Sequence, residues 1–118
     1  MILPQHQHRF EGDSGIDIAA HTIDVLFPDG EKKSIVLRLG APFQKKGVWW
    51  IRTELENLDS TDGPIAGEGS LHTLVLGVRW IIARLETFEK QHHCRYFWTD
   101  TSDPFDYRSV LSTYEKTA

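Results

Sequence analysis

Apolar and polar positions alternate along the first half of the chain. Ile23, Val25 and Phe27 fall on one side, and Thr22, Asp24 and Leu26 on the other. A period of two with β-branched residues predicts a strand from Asp17 to Phe27. Pro28-Asp29-Gly30 follows, combining a preset φ, a side chain that accepts local backbone bonds and a residue at ease with φ > 0, so a hairpin turn is expected. A second strand is predicted from about Lys33 to Leu39, with Ile35, Leu37 and Leu39 inward. Gly40-Ala41-Pro42 is expected to end it, because proline cannot donate to a ladder. After a connection over 43–47, a third strand runs from Val48 to about Asn57. Trp49, Ile51, Thr53 and Leu55 form the side expected on the core. Trp50, Arg52, Glu54 and Glu56 form the side expected in water.

The period then changes. Leu58 to Gly69 holds three glycines, a proline and three acids, and reads as a loop. From Leu71 the apolar positions are Leu71, Leu74, Val75, Val78, Ile82 and Leu85, widened by Ile81 and Phe88, which is the stripe of an amphipathic helix. Ser70 is its expected N-cap, and its end is expected near Lys90–His92. Leu76 and Trp80 lie off the stripe, one turn apart, and offer a homodimer surface. His93 to Trp98 predicts a fourth short strand, and Tyr107, Val110, Leu111 and Tyr114 have the spacing of a short terminal helix. The fold class expected is therefore α+β, an antiparallel meander of three to four strands packed on one long amphipathic helix. Residues 1–16 are read as a flexible arm and 17–118 as a single domain.

Composition narrows the function classes. The 118 residues carry a net charge of −4 with histidines neutral, which disfavours nonspecific nucleic-acid binding. Cys94 is the single cysteine, so no intrachain disulfide forms, as suits a reducing, cytoplasmic compartment. The longest apolar stretch, Leu74 to Ala83, is too short to span a bilayer and contains Arg79. The N-terminal sequence has no charged start leading into an apolar core, so no secretory signal is expected. Charge is segregated. Lys32, Lys33, Arg38, Lys45, Lys46 and Arg52 precede a stretch with Glu54, Glu56, Asp59, Asp62 and Glu68 and no base until Arg79. Neighbouring strands of opposite charge pair across a sheet, and an acidic loop edge steers a basic partner.

Candidate chemistry is sparse. His6 and His8, and His92-His93-Cys94, lack the ligand count and spacing of a metal site, so no metal or cofactor is expected. Gly63, Gly67 and Gly69 lead into the helix without the lysine of a phosphate loop, and Glu68 would repel an anion there. Glu54 and Glu56 share a strand face but imply no pocket. A small enzyme or ligand-binding protein would need at least two of His72, His92, His93 and Cys94 in one concave pocket.

Arg38-Leu39-Gly40-Ala41-Pro42, Val48-Trp49-Trp50-Ile51 and Gly67-Glu68-Gly69-Ser70-Leu71-His72-Thr73-Leu74 together resemble a group of small uncharacterised bacterial β-meander–helix domains, over about residues 20 to 90. The resemblance implies the fold and no activity. Domains of this kind are sometimes immunity proteins that neutralise a cognate toxin. The leading expectation is a non-enzymatic protein-binding domain of that sort. Its partner surface is expected at Trp50, Arg52, Glu54, Glu56, Asp59, Asp62 and Glu68, extended by Asp100, Asp103 and Asp106, with Trp50 and Arg52 as an interface anchor.

Overall fold

The computed structural model describes residues 12–58 and 63–111. It is an α+β protein with a six-stranded antiparallel sheet and one long helix, so the expected three to four strands understate the sheet. Strand β1 (Asp17–Leu26) turns through Pro28-Asp29-Gly30 into β2 (Lys32–Gly40). The turn is closed as its residues dictate. Gly30 takes φ 94°, its N–H donates to the Phe27 carbonyl at 3.0 Å, and the Glu31 N–H donates to Asp29 Oδ1 at 2.8 Å.

Gly40-Ala41-Pro42 ends β2, as expected. A short strand β3 (Phe43–Lys45) follows, and β4 (Val48–Glu56) returns antiparallel to both. Thr53 pairs with Leu39, while Trp50 pairs with Phe43, so the register slips by one residue between them. On its other edge β4 meets β5 (Gly63–Gly67), through Thr53↔Gly63 and Trp50↔Ala66. Thus β3 prolongs the line of β2, and the slip is a bulge at the Gly-Ala-Pro break. β5 lies in the stretch expected to be loop. Its Gly and Pro content disguises it, and Pro64 is tolerated because β5 is an edge strand.

Helix α1 (Ser70–His92) is capped at Gly69 rather than at Ser70, with no side-chain cap bond. It buries Thr73, Gly77, Ile81, Leu85 and Phe88 against the sheet. Gly77 allows a close approach: a Cβ there would stand 2.8 Å from Leu39 Cδ1 and 3.1 Å from Ile51 Cγ2. Ile23, Val25, Ile35, Leu37, Leu39, Ile51 and Leu55 complete the core. Strand β6 (Arg95–Trp98) then pairs with the second half of β1, Ile23 to Leu26. A single helical turn, α2 (Tyr107–Val110), packs back on α1, where the Tyr107 hydroxyl donates to Glu89 at 2.6 Å. No helix among the described residues is long and apolar enough to cross a membrane.

The far face of the sheet departs from the expected wet surface. Arg52 is 2% exposed and Glu54 7%. Residues 12–16, read as part of a flexible arm, cover them: Gly12 sits against Phe43 and Gln44, and Asp13 is buried beside Arg52. The alternation was read correctly, but the polar side is covered by charge matching rather than by water.

Candidate protein-binding site

The residues expected to meet a partner are only partly available for one. Arg52 donates from Nε to Asp13 at 2.9 Å, and its Nη1 lies 2.9 Å from Asp17 and 3.6 Å from Glu54. Arg38 spans Asp17 and Glu56, each at 2.9 Å. Arg52 and Glu54 therefore belong to a covered ion network, and Glu56 is half-buried at its margin. Trp50 is half-buried between Phe43 and Ala66. Glu68 is exposed at the start of α1, where its N–H donates to His72 Nδ1 at 3.0 Å. Asp59 and Asp62 lie outside the described residues. Asp100, Asp103 and Asp106 are exposed in the segment after β6.

Of the residues expected of a histidine- and cysteine-based enzyme or ligand binder, none lines the cavity described below. His72 and His92 stand at opposite ends of α1, about 30 Å apart at 1.5 Å per residue. His92 packs on Phe88 at 4.2 Å between ring centroids, and Cys94 is buried, which pushes its thiol up from the usual range. No group of three metal-ligating side chains occurs among the described residues, and His6 and His8 lie outside them. Leu76 and Trp80 are both half-buried, and the Arg84 guanidinium lies 6.0 Å from the centre of a Trp80 ring.

A different feature stands on the helix side of the sheet. Five strand positions side by side span roughly 20 Å, whereas a helix with its side chains is about 10 Å wide. α1 lies over β4 and β5 and reaches β2 only at its margin. Tyr96, Tyr107 and Phe105 cover the β6 side. Between these two covers the sheet is left open as a cavity of about 270 Å³. Leu37, Leu39 and His21 lie on the strands, Val78 and Ile81 on α1, and Phe105, Val110 and Leu111 on the C-terminal segment. The lining is almost wholly apolar. His21 supplies a polar tip, with its ring stacked on Phe105 at 5.5 Å and edge-on to Trp98 at 5.0 Å.

The cavity adjoins an unfinished edge. β6 pairs with β1 only from Ile23 onward, and no strand among the described residues lies beside the first half of β1 on that edge. The direction of the free groups follows from the ladder. The Tyr96 carbonyl and the Trp98 N–H are engaged by Phe105 and Asp103, so those residues face away from β1, and Phe97 faces it. Phe97 opposes Asp24, so Asp24, Thr22 and Ala20 direct their backbone groups to this edge. Thr99 Oγ1 donates to the Thr22 carbonyl at 2.6 Å from the same side. That leaves the Ala20 N–H and C=O and the Thr22 N–H facing outward from exposed residues. The sequence carried one trace of this, the small pair Ala19-Ala20 within an otherwise bulky strand. No family model, no curated protein and no solved structure matches the chain.

Proposed function

We propose that the chain is a non-enzymatic protein-binding domain whose partner docks in the recess between α1 and the C-terminal segment. The observation that carries this reading is the apolar cavity opening beside the first half of β1, an edge on which no strand among the described residues pairs. Apolar concavity attracts a partner's side chains, and exposed backbone groups give it direction. The recess is a better anchor than the acidic face of β4, because Arg52 and Glu54 are buried in ion pairs with one another and their neighbours. A volume of about 270 Å³ lies below the range usual for cofactor pockets and suits one or two anchoring side chains.

The narrower form of the reading is a toxin-neutralising immunity protein, as the resemblance to small bacterial domains implies. Asp100, Asp103 and Asp106 support it, since an exposed acidic segment beside the recess would speed encounter with a basic toxin domain. The test uses the tagged full chain in a lysate of its own organism, set against Val110→Glu. Val110 is 46% exposed and lines the cavity, so the variant plants a charge at the docking site without entering the core. The expected result is a specific partner retained by the parent and lost by the variant. Equal capture by both would overturn the reading.

A further inference from the structure

We infer that the recess recognises an extended polypeptide segment of another protein, which adds as a strand to β1 beside Ala20 and sets an apolar side chain into the cavity. The inference rests on the protein-binding reading and names the form of the partner. Two independent features converge on it. The Ala20 N–H and C=O and the Thr22 N–H lie in the plane of the sheet and point outward, where the nearest matching geometry is another strand. The side chains on the helix side of that edge, Ala19 and His21, line the cavity, so a residue of an added strand opposite them directs its side chain toward Val78, Phe105 and Leu111. Ala19 is small, so on its side of His21 the approach along β1 is open.

A helical partner would leave those backbone groups unpaired. A second copy of this chain pairing β1 to β1 is disfavoured by geometry. Thr99 crowds the edge at Thr22, and an isologous pair would bring two sets of Phe105 and Val110 to the same narrow edge. The edge also has no lysine or proline between Ile18 and Thr22 to discourage strand addition, whereas β5 carries Pro64 on its own edge.

The test is a library of random eight-residue peptides displayed on phage and panned against the full chain. Enriched peptides are expected to carry an apolar residue flanked by strand-forming residues, with no proline between them. Two variants and one chemical series read the geometry. Ala20→Pro removes an N–H that faces away from β2, so the ladder with Arg38 and its neighbours is spared, and thermal melting verifies the fold. Loss of the pairing bonds is expected to weaken an enriched peptide by at least about tenfold. Val110→Glu is expected to weaken it similarly. N-methylation of successive peptide amides on the parent protein should abolish binding at alternate positions only, a pattern that side-chain docking does not give, and it serves equally if Ala20→Pro fails to fold.

No enrichment would overturn the inference. So would peptides indifferent to Ala20→Pro and to N-methylation, or a concentration-dependent dimer of the parent that Ala20→Pro abolishes. A native partner lost by Val110→Glu but kept by Ala20→Pro would remove strand addition and leave the recess as a docking site. A partner kept by both would remove both readings.

Discussion

Arg52 and Asp13 meet beneath the surface of the sheet's outer face: Nε donates to Oδ2 at 2.9 Å, and the two side chains are 2% and 0% exposed. The pair joins residues 39 positions apart and holds the segment before β1 against β4. Gly40 makes room for it, since a Cβ there would stand 2.9 Å from Arg52 Nη2. The guanidinium spreads its charge over Asp17 and Glu54 as well, so the face is a linked set of ion pairs rather than a row of solvated charges.

Breaking that set on one side should cost more than removing the pair. Arg52→Met leaves Asp13 buried without its cation, and a loss of about 3–5 kcal/mol is expected. The double variant Asp13→Leu/Arg52→Met should lose less than Arg52→Met alone, because one buried charge fewer is left without its cation. Urea unfolding of the three proteins checks this. A double variant less stable than Arg52→Met would show that the pair acts through packing rather than charge.

Acid should act through Asp24. The Asp100 N–H donates to its carboxylate at 2.9 Å, the Ser34 hydroxyl at 3.1 Å, and Lys32 lies 3.7 Å away; together these hold its pKa below the usual carboxylate value. The folded pKa lies under the unfolded value of about 3.9, so the stabilisation is present in full above that value. It is lost as pH falls through the folded pKa, where the unfolded chain has already taken up the proton. Asp24→Asn should therefore be less stable near neutrality and flatter in its acid dependence. Melting temperatures between pH 2 and 7 measure it, and parallel curves for the two proteins would count against the assignment.

Cys94 should be chemically quiet while the protein is folded. Burial raises its thiol pKa, lowering the thiolate fraction, and the side chain is 2% exposed. Alkali above the usual thiol value of about 8.5 then favours the unfolded chain, whose thiol ionises first. Iodoacetamide at pH 8 is expected to leave the native protein unmodified by mass and to add one carbamidomethyl group in urea. Rapid modification of the native protein would show Cys94 to be accessible.

Local patterns made much of the fold legible. Pro28-Asp29-Gly30 marked the hairpin, and the stripe from Leu71 to Phe88 marked the helix, because turns and helices are written in residues close in sequence. β3 and β5 were not legible. The three-residue β3 sits in the stretch read as a connection after the stop at Pro42, and the short β5, with its glycines and Pro64, has the composition of a loop. The polar face of β4 was seen, but its cover depends on Asp13, and no local rule matches an arginine to a carboxylate so distant in sequence. The recess escaped for a related reason. It is defined by what α1 and the C-terminal segment leave uncovered, and a sequence pattern records which residues prefer burial, not how far a neighbouring element reaches.

The pairing of β1 with β6 has a consequence for how the molecule is made. Ile23 waits for Trp98, and the turn at Asp100 is secured by Asp24, so β1 finds this neighbour only once synthesis has passed the whole of α1. Contacts of such wide separation slow folding, and a nascent chain stopped before residue 95 would expose β1 along its entire outer side. The closing of the sheet's β1 edge over Ile23 to Leu26 is thus left to a segment on the far side of α1.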